Sequence, residues 1–178
     1  MKRFITSVTS LALLAALAGA SALAQTASPA PTGPLANVLG YFAGTWNCNG
    51  GLVTDKPRAA MVAWEWELGN TMLERQVNVP ALGKLPAYRS GNYSSYDPKK
   101  KHVVSAGVNM YGEWNASWTA GWKGNKLTWT DIAATDNRIG KNIITKVDAS
   151  TFDNIGYDSA GKVDFKAHCV KAPSQAEK

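Results

Sequence analysis

From Gly44 to Val170 the chain is written in short runs of alternating residues, broken by turn-forming residues about every ten positions. Alternation with a period of two is the pattern of strands, and it excludes a helical bundle. Val62, Trp64, Trp66 and Leu68 fall on one face, Glu65 and Glu67 on the other, and Gly69-Asn70 follows as a hairpin signal. Leu73, Arg75, Val77 and Val79 share the next face. Tyr88–Asp97 and His102–Met110 read as a hairpin around Pro98-Lys99-Lys100-Lys101. In Gly112–Trp122, the tryptophans Trp114, Trp118 and Trp122 stand four apart, a spacing that suits helix and strand alike. Ala116 and Ala120 decide between them, because only a strand keeps them on the tryptophan face with Asn115, Ser117 and Thr119 opposite. The expectation is one strand with its tryptophan face turned inwards. Leu127 and Trp129, then Ile139–Val147, Phe152–Tyr157 and Val163–Val170, complete about ten strands. One short amphipathic helix, Leu35–Ala43, precedes them, with Gly44 as its stop.

Successive hairpins with tight turns predict an all-β fold, an antiparallel up-and-down barrel of about ten strands behind a short N-terminal helix. A closed barrel pairs its first strand with its last. Cys48 lies on the first and Cys169 on the last, so closure makes them neighbours and predicts a Cys48–Cys169 disulfide.

The first residues carry a different signal. Lys2 and Arg3 precede an apolar run over Leu11–Leu17, and Ala22-Leu23-Ala24 forms a small-x-small cleavage pattern. Residues 1–24 are therefore expected to be a signal peptide, cut between Ala24 and Gln25, delivering the protein to the periplasm or outside the cell. That compartment suits a disulfide. Residues 25–34 read as a Pro/Ala-rich linker, 35–171 as the barrel and 172–178 as a flexible tail. No later run approaches the length of a membrane-spanning helix. The formal charge is +6, and Lys2 and Arg3 leave with the signal. The remainder includes Lys99, Lys100 and Lys101 at one turn and makes no basic stripe, so nucleic acid is not an expected partner.

The segment Leu39-Gly40-Tyr41-Phe42-Ala43-Gly44-Thr45-Trp46 resembles the opening of calycin barrels, in which a short helix leads into Gly-x-Trp at the start of the first strand. With the Trp64–Gly69 strand and turn, the Tyr96–Lys101 turn and the basic end of the last strand, residues 35–171 resemble a family of exported bacterial proteins of unknown function with a lipocalin-like barrel. The resemblance implies that Trp46 plugs the closed end of the barrel. It implies no activity, because fold does not fix function.

Candidate site residues follow from the phases of the strands. Trp64, Trp66, Trp114, Trp118, Trp122 and Trp129 are expected to face the interior. There they either line a pocket for a small, mostly apolar or aromatic ligand or pack a filled core. Arg75, on an apolar face, is expected inside, holding a ligand carboxylate or an internal acid; Arg89 has weaker phase. The longest inter-strand loop, Pro80–Ala87, is the candidate gate. A related group of ten-stranded calycin-like barrels binds haem through a histidine near the C-terminus. Here His168 alternates with Val163, Phe165, Ala167 and Cys169 and so points outwards, as does His102 beside its turn. Neither metal-ligand spacing nor a nucleophile motif is found, and Glu65 and Glu67 share one wet face. The reading is a monomeric binding barrel without cofactor. Its alternatives are a packed structural or interaction barrel and an enzyme with a cryptic site in the barrel mouth.

Overall fold

The computed structural model describes residues 30–135 and 140–173. The proposed signal peptide, and parts of the proposed linker and tail, lie outside the described residues. Helix α1 (Pro34–Leu39) starts on a proline, whose missing N–H has no intrahelical partner to lose at that position, and a single 3-10 turn, Gly40–Phe42, extends it. Gly44 then takes φ 106°, a conformation open to glycine, and turns the chain into the first strand.

The strands are β1 (Gly44–Leu52), β2 (Arg58–Glu67), β3 (Met72–Val79), β4 (Tyr88–Asp97), β5 (His102–Asn109), β6 (Trp114–Thr119), β7 (Trp122–Lys123), β8 (Lys126–Ala134), β9 (Lys141–Lys146), β10 (Thr151–Tyr157) and β11 (Val163–Lys171). Consecutive strands from β1 to β6 pair antiparallel, as do those from β7 to β11. Two further pairings, β1 with β11 and β6 with β8, close the sheet on itself. The two-residue β7 is a spur on β8, so ten strands make the wall. At the β1–β11 seam Cys48 stands opposite Cys169, and the two form the disulfide.

The helix closes one end. Leu39, Phe42 and Trp46 lose all contact with solvent there, beside Leu73, Val103 and Leu127 from the strands. Two indoles serve the helical segment directly. Trp122 Nε1–H donates to the Val38 carbonyl at 2.6 Å, and Trp46 Nε1–H donates to the Phe42 carbonyl at 2.7 Å. Carbonyls at a helix end have no intrahelical donor, so both bonds satisfy groups that would otherwise be orphaned. The Phe42 ring stacks on Trp64 at 5.0 Å and on Trp122 at 5.8 Å. The Tyr41 hydroxyl donates to the carbonyls of Asp148 and Thr151, tying the plug to the β9–β10 turn.

Three sequence expectations are corrected here. Residues 114–122 are not one strand. The chain leaves β6 after Thr119 and passes Gly121 at φ 98°, which swings Trp122 onto the plug. Trp114 and Trp118 face outwards. Trp114 is 48% exposed, and the His102 ring stands 5.1 Å from that of Trp118 on the outer wall. The buried residues of β6 are Ser117 and Thr119. The reason is volume. Trp46, Trp64 and Phe42 crowd the closed end, and Trp129 is buried on β8, the strand that pairs with β6. Another indole has no room at the closed end, so Ser117 and Thr119 take the inner positions, and strand alternation then carries Trp114, nearer the mouth, outwards with Trp118. Leu68, expected on the inner face of β2, sits in the turn at φ 48° and is 72% exposed.

Candidate functional site

The plug fills only one half of the barrel. Ten strands enclose more space than side chains alone fill, and above the aromatic floor lies a cavity of about 570 Å³, open to solvent at the other end. Register gives the climb along one wall. Trp64 pairs with Arg75 at the floor, Val62 with Val77 one step up, and the next inner positions are Ala60 on β2 and Val79 on β3. The facing wall carries Phe152, Ile144, Phe165 and the inner surface of the disulfide. Gly50 lets β1 come close to β11 here, because a Cβ at that position would run into the backbone of Lys166 and Ala167. The mouth is polar, with Asp55, Lys56, Arg58, Asn109 and Glu113 around it.

Arg75 is the charged group nearest the floor. Its Nη2 donates to Asn92 Oδ1 at 2.6 Å, and its guanidinium carbon lies 5.7 Å from the centre of the Trp64 ring. Its Nε–H is buried and finds no acceptor on the described residues. Burial pushes the guanidinium pKa below its ordinary value, and the Tyr88 phenol, which also lines the cavity, partly opposes the shift. Asn92 reaches Arg75 because Gly107 opposite it on β5 has no side chain; a Cβ there would collide with the Asn92 amide. Trp64 Nε1, Trp66 Nε1 and Asn154 Oδ1 are likewise buried without a partner among the described residues.

Of the residues singled out in the sequence, Trp64 and Arg75 line the cavity. Trp66, packed against the core, and the buried Trp129 belong to the interior without reaching the cavity surface. Trp46 and Trp122 pack with the helix. Trp114 and Trp118 are on the outer wall, as is the exposed Arg89. His168 faces outwards too, 2.7 Å from Asp153 Oδ1, which leaves the haem alternative without its histidine inside. The Pro80–Ala87 loop stands at the mouth, where Arg58 donates to the Pro86 carbonyl. Among the described residues no group of three metal-ligating side chains comes together. Tyr88, Asn92 and Asn154 were missed. On β4 the inner face reads Tyr88, Ser90, Asn92, Ser94 and the outer one Arg89, Gly91, Tyr93, Ser95, so polarity does not separate the two.

A second concavity of similar volume lies outside the wall, between Ala59, Met61, Asn78, Pro80 and Arg89. It is open along its solvent side, and none of the buried unpaired polar atoms faces it.

No described protein family and no curated protein matches the sequence. Solved structures to which it is similar include a redesigned beta barrel, at 8% identity and TM-score 0.41, covering 77% of this chain and 96% of that one. A de novo designed fluorescence-activating beta barrel matches at 10% identity and TM-score 0.44, covering 77% and 97%. A redesigned beta barrel bound to DFHBI matches at 10% identity and TM-score 0.39, covering 76% and 99%.

Proposed function

We propose that this is an exported binding barrel that takes a small, mostly apolar or aromatic molecule into the open half of its interior. The observation that carries the reading is the cavity itself. Its volume of about 570 Å³ lies within the range that accepts a drug-sized ligand, and its wall above the floor is built from Val62, Val77, Val79, Ile144, Phe152 and Phe165. Binding would be driven by desolvation of these surfaces, with the Trp64 ring at the floor supplying an aromatic contact. Export rests on the leader pattern of residues 1–24 and accords with the Cys48–Cys169 disulfide. Among the described residues no helix is long and apolar enough to cross a membrane.

The test is a titration of the purified protein with a panel of apolar and aromatic compounds, followed by intrinsic tryptophan fluorescence. At least one compound should give a saturable change that is lost in Trp64→Phe, because Trp64 is the indole on the cavity surface. A panel without any saturable response would count against the reading.

A further inference from the structure

Buried charges in proteins are paired, because an isolated ion away from water is costly. Arg75 breaks that rule. Of the five N–H groups a guanidinium carries, one bonds Asn92 Oδ1, a neutral acceptor, and no carboxylate of the described residues lies within ion-pair distance. The Nε–H is buried without an acceptor among the described residues, and so is the Nε1–H of Trp64, its register partner on β2. Arg75 and Trp64 thus lie together at the floor of a cavity whose next tier is Val62 and Val77. Lys56 and Arg58, the other basic residues on the cavity surface, belong to the mouth, so the floor presents a single positive charge.

Resting on the binding function proposed above, we infer that the ligand carries one carboxylate, which enters first and meets Arg75 at the cavity floor while its apolar body lies along Val62, Val77 and Val79. A carboxylate accepts two parallel N–H bonds from a guanidinium, and one negative charge balances one positive charge. A phosphate dianion would leave a buried excess charge. A neutral polar head would leave the arginine uncompensated. Asn92 acts as a positioning residue, holding the guanidinium from the β4 side.

The experiment uses the full mature chain, one dye and three competitors. N-phenyl-1-naphthylamine, a neutral aromatic dye, reports on occupancy of the cavity alone. Its displacement by 2-naphthoate and by 2-naphthamide, which share a ring system and differ in charge, reports on the head group; 2-naphthyl phosphate tests the dianion. In the wild type, 2-naphthoate should displace the dye at least tenfold more tightly than 2-naphthamide or 2-naphthyl phosphate. Arg75→Met should abolish that preference, and Arg75→Lys should retain part of it. If the dye binds and the acid and amide compete equally in the wild type, the carboxylate inference is overturned and the binding function stands. A preference for the phosphate overturns it in favour of a dianion. If neither the dye nor any naphthyl compound binds, the binding function falls and the inference with it. The acid–amide comparison needs only the wild type, so failure of a variant to fold does not protect the inference.

Discussion

Arg75, Asn92 and Gly107 make one constellation on three neighbouring strands, each requiring the next. Replacing Gly107 by alanine pushes a methyl group into the Asn92 amide, so Asn92 has to leave Arg75. Overpacking of this kind costs about 1–3 kcal/mol, and urea unfolding should show a loss of that order in Gly107→Ala. The two kinds of tryptophan should separate in the same measurement. Trp46→Ala removes a fully buried ring and the hydrogen bond to the Phe42 carbonyl, with an expected loss of about 3–5 kcal/mol. Trp114→Ser alters a half-exposed outer position and should stay within about 1 kcal/mol of the wild type. A large loss in Trp114→Ser would place that ring inside after all. Asp131 gives the molecule a pH signature. Burial pushes its carboxyl above the usual aspartate range; the Gly140 N–H opposes that shift and nearby Asp164 adds to it. The folded chain therefore keeps this proton where the unfolded chain has released it, so this residue's contribution to stability falls as pH rises past the ordinary value of about 4. The stability of Asp131→Asn relative to the wild type should accordingly rise between about pH 4 and pH 7 in thermal unfolding. A flat or falling difference would contradict the assignment.

At the scale of elements, the seam between β1 and β11 and the short helix decide the outcome. The disulfide ties residues 121 apart in sequence at the strands that close the barrel. Its removal by Cys48→Ser with Cys169→Ser should lower stability by about 2–5 kcal/mol. Reduction of the intact protein should add the mass of two hydrogens, and an unchanged mass would remove the bridge. The helix is held by bonds from Trp46, Trp122 and Tyr41. It was legible in the sequence from Leu35, Val38, Leu39 and Phe42, and the strand order was legible from alternation and turns such as Gly69-Asn70. Which face of β6 turns inwards was not legible. Alternation divides a strand into two faces but does not say which is interior. The rule that apolar residues go inside fails where neighbouring strands and a helix have already filled the space.

The whole molecule is a barrel of two halves, one packed and one hollow. A filled core and a pocket were competing readings of its tryptophans; of the six, Trp64 lines the cavity, Trp66, Trp122 and Trp129 pack in the filled half, and Trp114 and Trp118 stand outside. The sequence could not divide them. Height in a barrel depends on register, on the strand tilt and on how deeply the plug enters, and none of these is written in one strand's pattern. Arg75 was legible as an inward residue from its place among Leu73, Val77 and Val79. That it meets no acidic partner among the described residues was not, because that depends on every strand across the interior. The central claim is that the open half is a ligand chamber, and blocking the chamber tests it most directly. Val77→Trp puts an indole into the tier above Arg75. Affinity for N-phenyl-1-naphthylamine should be measured for wild type and Val77→Trp by the rise in dye fluorescence, with urea unfolding confirming that the variant is folded. The account predicts saturable binding by the wild type at one site, weakened at least tenfold in the variant; equal binding by both proteins, or none by the wild type, would contradict it.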